Sequence, residues 1–151
     1  MKMTVDYDTD FHAWALHNAK LLRQGKFAEL DVEHLAEELE SMGKTNKREL
    51  TSRFKILLAH LLKWQYQPDY RGRSWRSSIV EQRSEISELT AENPSLKPLF
   101  DEVIADAYLK AIKFAAKETG LLVNTFPQKC PYSLEQIVDD DFYPEVKADQ
   151  E

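Results

Sequence analysis

Apolar positions recur at spacings of three and four through most of the chain, and no stretch alternates with the period of two and the β-branched enrichment that mark a strand. This pattern predicts an all-α fold, a compact multi-helix bundle of five main helices plus a short C-terminal helix. The first helix is expected to open at Asp8 or Asp10, whose carboxylates can cap free backbone N–H groups. Its stripe is Phe11, Trp14, Ala15, Asn18, Leu21 and Leu22, and Gly25 follows its end. A second start at Asp31 leads into Val32, Leu35, Ala36, Leu39 and Met42, a face expected to be core. The third helix, about Thr45 to Gln65, places Leu50, Phe54, Leu57, Leu61 and Trp64 on one seam, widened by Ile56, Leu58 and Leu62, and is expected to be central. Gly43 either ends the second helix or bends it into the third, because glycine costs only about 1 kcal/mol in a helix interior.

Beyond Pro68 and Gly72 the pattern resumes. Trp75, Ile79, Gln82, Ile86 and Leu89 form a fourth stripe, and Asn93-Pro94-Ser95 breaks it. Ser95 is placed to cap a fifth helix carrying Leu99, Phe100, Val103, Ala107, Ala111 and Phe114, with Gly120 as its stop. Ser133 followed by Gln136 has the spacing of a capping box for the short last helix, and residues after Pro144 are expected to be loose. At 151 residues the chain has the length of one domain, with an ordered core expected over about 7–144.

Composition narrows the classes. With 42% hydrophobic and 30% charged residues, the chain is neither a disordered tail nor a membrane protein, and its apolar runs fall far short of the ~20 residues a bilayer span needs. The acidic, polar start lacks the pattern of a secretory signal, so a cytoplasmic location is expected. A lone Cys130 permits no internal disulfide; it reads as a small apolar filler or as a reactive thiol. The net charge of −6 hides an uneven distribution. Lys44 to Arg83 holds ten Lys or Arg against three Asp or Glu, a local +7, while the remainder sums to −13.

Motifs occur in a distinctive order: Tyr7-x-x-Asp10-Phe11-x-x-Trp14, Leu30-Asp31, Glu37-Glu38-x-Glu40-Ser41-Met42-Gly43, and His60-Leu61-Leu62-Lys63-Trp64-Gln65-Tyr66-Gln67-Pro68. They continue with Ser74-Trp75-Arg76, Gln82-Arg83, Pro94-Ser95-Leu96, Tyr108-x-x-Ala111, Glu118-Thr119-Gly120 and Pro131-Tyr132. In this order the chain resembles, over about Tyr7 to Pro144, a bacterial family common in cyanobacteria and known as domain of unknown function 29. The resemblance implies a small all-helical fold and brings no activity with it.

Three constellations bear on chemistry. Glu33, Glu37 and Glu40 share one face of the second helix, and Arg76 and Arg83, seven apart, share a flank of the fourth. If those helices meet, Arg–carboxylate pairing follows; a solvated acidic face and a functional carboxylate cluster are the other readings. His60 flanks the central seam, where a histidine serves as a hydrogen-bonded core residue, a base or a ligand. His34-x-x-Glu37 reverses the Glu-x-x-His order of di-iron bundles, and His12 and His17 lie five apart, so no metal is called for. No P-loop or dinucleotide fingerprint occurs, and no cofactor is expected.

The third constellation runs from Lys63 to Arg76 and interleaves cations with aromatics, as single-stranded nucleic-acid binders do. The same residues can close an interhelical corner, or attract an acidic protein partner. Lys63, Tyr66, Tyr70, Arg71, Arg73, Arg76 and Arg83 are the candidate binding residues. The leading expectation is a non-enzymatic interaction module with a basic central surface. The alternatives are a nucleic-acid binder using Tyr66, Tyr70, Arg71, Arg73 and Arg76, and an enzyme built on Glu37, Glu40 and His60. The oligomeric state stays open.

Overall fold

The computed structural model describes residues 5–146. Every regular element among them is helical: α1 (Phe11–Arg23), α2 (Val32–Tyr66), α3 (Arg73–Glu92), α4 (Phe100–Thr119) and the short α5 (Leu134–Val138). Single 3₁₀ turns at Phe27–Glu29, Pro68–Tyr70 and Val123–Thr125 and a six-residue 3₁₀ segment at Pro94–Leu99 fill the connections. The expected looseness after Pro144 falls partly on residues 147–151, which lie outside the described residues.

The second and third expected helices are one 35-residue helix, α2. Breaking it at Gly43 would strand four carbonyls and four amides, a larger cost than one interior glycine. No proline intervenes, and Gly43 is not among the glycines with positive φ. The start of α4 also differs from expectation. Ser95 does not cap it; Pro98 disfavours α geometry at Lys97, the chain tightens into a 3₁₀ segment, and regular helix begins at Phe100.

The chain divides into two compact units, with the boundary between Lys44 and Thr45 inside α2. In the second unit, Leu50, Phe54, Leu57 and Leu61 of α2 are wholly buried, and Trp64 nearly so. They pack with Ile79, Ile86 and Leu89 of α3, Val103, Ala107 and Ala111 of α4, and Ile137 of α5. At roughly 1.5–3 kcal/mol for each large apolar side chain taken out of water, this interior is what holds the unit together. Trp75 and Phe114, expected on core stripes, are half-buried against its edge. Gly120 ends α4 in the left-handed conformation at φ 79°, its N–H returning to the Ala116 carbonyl. Ser133 and Gln136 form the expected capping box of α5.

The first unit is built differently. α1 is capped by the Asp10 carboxylate, which accepts from the Ala13 N–H at 3.1 Å, and it buries only Trp14, Asn18 and Leu21. The face of α2 read as core is not core. Val32, Leu39 and Met42 are 63%, 66% and 63% exposed, and no residue from Val32 to Glu49 is buried. The periodicity was real, but α1 and the segment before it engage Asp31, just ahead of α2, and the His34 and Glu38 flank of α2 instead.

Candidate functional site

In the first unit a polar and aromatic cluster forms around Asp31, the residue that precedes α2. Its Oδ1 accepts from the His34 backbone N–H at 3.4 Å, a long N-cap bond. Oδ2 accepts the Trp14 indole N–H at 2.8 Å and lies 2.7 Å from His34 Nδ1. The buried Asn18 side chain ties the two helices together: its amide donates to the Trp14 carbonyl and its oxygen accepts from the Asp31 N–H, both at 3.0 Å. The His34 ring lies against Tyr7, 4.0 Å between centroids and 12° from parallel, and the Tyr7 hydroxyl donates to Glu38.

These contacts move the protons in consistent directions. The hydrogen bond to Asp31 raises the His34 pKa, and the His34 and Trp14 donors lower that of Asp31. Bonding to Glu38 pushes the Tyr7 phenol up to about 12, so it stays a donor. The hub was missed in sequence. Its local signals were the helix start at Asp31 and the Tyr7-x-x-Asp10-Phe11-x-x-Trp14 spacing, but the bonds join residues 17 and 31 positions apart.

The basic and aromatic residues of the second unit form a ladder of alternating cations and rings. The Arg71 guanidinium stands 4.9 Å from the Trp64 centroid. Arg76 stands 5.1 Å from the same ring and 4.8 Å from Tyr143, and Arg83 stands 5.6 Å from Tyr143. Arg71 also donates from Nε to the Trp64 carbonyl at 2.7 Å, which caps the end of α2. Arg83 is 4% exposed and donates to the carbonyls of Gln136, Ile137, Asp140 and Phe142 at 2.8–3.4 Å. The expected Arg–carboxylate pairing is therefore not what these two arginines make: Arg76 takes ring faces and Arg83 takes backbone oxygens.

The other candidates sit as follows. Lys63 is buried, with Nζ 3.6 Å from Glu118 and 5.0 Å over the Trp75 ring. Tyr66 is half-buried and packs edge-on against Phe126, whereas Tyr70, Arg73 and Arg76 are exposed. His60 is half-buried; its Nδ1 lies 2.8 Å from the Ile56 carbonyl, and burial lowers its pKa, as expected of a neutral core imidazole. Glu37 and Glu40 are exposed in the first unit, and His60 belongs to the second. Two concavities of the second unit, about 390 and 660 Å³, are lined by neither His60 nor Lys63. Burial raises the Cys130 thiol pKa, which disfavours its thiolate. Among the described residues no group of three or more His, Cys, Asp or Glu is placed to hold a metal, and no helix is long and apolar enough to cross a membrane.

The fold and its clusters thus define an all-helical protein in which Asp31, Arg71 and Arg83 tie helix ends and loop segments in place. A family model described as "Domain of unknown function DUF29" matches residues 7–143, and the chain belongs to that family. The match spans both the Asp31 hub and the cation–ring ladder. No curated protein and no solved structure matches the chain.

Proposed function

We propose that the chain is a non-enzymatic interaction module that docks partners on the exposed apolar surface of its first unit. One observation carries this reading. Phe11, Leu16, Leu22, Phe27, Val32, Leu39 and Met42 are each 47–66% exposed, all within a stretch that buries only Trp14 and Leu21 as apolar side chains. Scattered exposed leucines need no explanation, but this density in so short a stretch supports a surface that a partner covers. The Asp31 hub fits a supporting role: it holds the start of α2 through polar contacts rather than through Val32, Leu39 and Met42.

A photo-crosslinking amino acid at Leu39, introduced into the chain in its host cell, tests this reading. A discrete adduct from Leu39, absent when the same group replaces the exposed Glu88 of α3, is the expected result. No adduct, or equal adducts from both positions, contradicts it.

A second surface retains support from Tyr70, 70% exposed, with exposed Arg73 and Arg76 beside it in sequence. Single-stranded nucleic acid or an acidic protein suits that chemistry, although Lys63, Arg71 and Arg83 are committed within the unit. Binding there is expected to fall steeply with salt and to weaken on Arg73→Ala; no binding at low salt removes it. A bacterial cytoplasmic setting agrees with the family resemblance and with the half-buried free thiol of Cys130.

A further inference from the structure

We infer that the Val32–Leu39–Met42 seam of α2 receives an amphipathic helix of another protein, one whose apolar stripe is bordered by lysines or arginines. This rests on the interaction-module reading and names the partner's chemistry. Val32, Leu35, Leu39 and Met42 repeat at three, four and three residues, the strict narrow seam of a coiled-coil face rather than the wider stripe of a core helix. At 1.5 Å per residue the seam is about 15 Å long, longer than the roughly 10 Å spanned by the i, i+3, i+7 anchors by which a helix lies in a groove. Leu35 is partly covered, while the other three are more than 60% exposed.

The border of the seam selects the sign of the occupant. Turning about 100° per residue, the exposed Ala36 and Gly43 lie immediately beside it, and Glu33 and Glu40, also exposed, lie next around the helix. A Cβ built on Gly43 meets nothing within 4 Å, so a partner backbone can approach closely there. The carboxylates beyond are within reach of long cationic side chains whose stems cover the small residues. Residues 5–44 hold nine Asp or Glu against four Lys or Arg, a net −5. A second copy would bring the same −5 and the same two glutamates to the seam, so self-pairing is disfavoured and a cationic helix is favoured.

The test uses the full chain and two labelled synthetic helices with identical leucine stripes, one flanked by lysines and one by glutamates, followed by fluorescence anisotropy. The lysine-flanked helix is expected to bind, to weaken with added salt, and to lose about tenfold or more in affinity against the Leu39→Asn/Met42→Asn variant. Both replaced side chains are exposed, and an unchanged helical circular dichroism spectrum shows that the variant is folded. Equal or tighter binding of the glutamate-flanked helix, binding indifferent to the variant, or self-association through the seam in sedimentation overturns the inference. Failure of both helices to bind overturns it as well. The Leu39 crosslink then separates the two claims: an adduct in the cell leaves the interaction module standing with a different occupant, and no adduct removes both.

Discussion

The imidazole of His34 stacks flat on the ring of Tyr7 while its Nδ1 reaches Asp31 at 2.7 Å, so one side chain joins the N-terminal segment to the first turn of α2. Its protonated form turns the hydrogen bond to Asp31 into an ion pair, which the neutral form lacks. The folded pKa of His34 is accordingly raised above its ordinary 6.5 and that of Asp31 lowered below 3.8. The histidine's contribution is fully present below pH 6.5 and is lost as pH rises through the raised value. That of Asp31 is present above pH 3.8 and is lost as pH falls through the lowered one. The first unit is therefore expected to be firmest between the two. Proton NMR should show His34 titrating above 6.5, with the Trp14 indole N–H resonance moving in step; a His34 midpoint at or below 6.5 would contradict the arrangement.

Arg83 is expected to be the most costly charged residue to remove. Arg83→Met deprives the Gln136, Ile137, Asp140 and Phe142 carbonyls of charge-assisted donors and should cost about 3 kcal/mol in denaturant unfolding. Arg83→Lys should recover little, since an ammonium cannot reproduce the guanidinium fork. A loss below about 1 kcal/mol for the methionine variant would show that the clamp is not needed.

Leu39 and Leu57 stand on one helix with the same periodic signal, yet their truncation should differ sharply. Leu57 is wholly buried, so Leu57→Ala is expected to cost about 2–5 kcal/mol, whereas Leu39→Ala, at an exposed position, should stay within about 0.5 kcal/mol. Similar losses at both positions would mean that the Leu39 face is covered in the free chain.

Two glycines give opposite signs. Gly43 lies within α2 with open space around its Cβ direction, so Gly43→Ala should stabilise by about 0.5–1 kcal/mol. Gly120 sits at φ 79°, where any side chain is strained, and Gly120→Ala should destabilise by about 1 kcal/mol. A destabilising Gly43→Ala, read in thermal melts, would argue that α2 is interrupted there.

The helical class, the Leu50 to Trp64 seam, the Gly120 stop and the Ser133 cap were legible because each is written in neighbouring residues. Periodicity reports that a face is apolar, not that something covers it, so Val32, Leu39 and Met42 looked like Leu57 and Leu61. The arginines misled for a related reason. Arg76 and Arg83 share a helix flank as expected, but Tyr143 and the carbonyls they engage come from α5 and the irregular segment after it, more than 50 positions along the chain from Arg83, and no local pattern places these against α3. The Asp31 hub needed Trp14, Asn18 and Tyr7 to arrive from α1 and the segment before it, and only the fold brings them together.

The accessibility of the Met42 methyl group distinguishes an open seam from a covered one. With methyl-labelled methionine and a soluble paramagnetic agent, its NMR signal should broaden strongly in the free chain and be protected once the lysine-flanked helix is added. A Met42 methyl already shielded in the free chain, or one equally broadened with that helix in saturating amount, would contradict an open seam that a cationic helix covers.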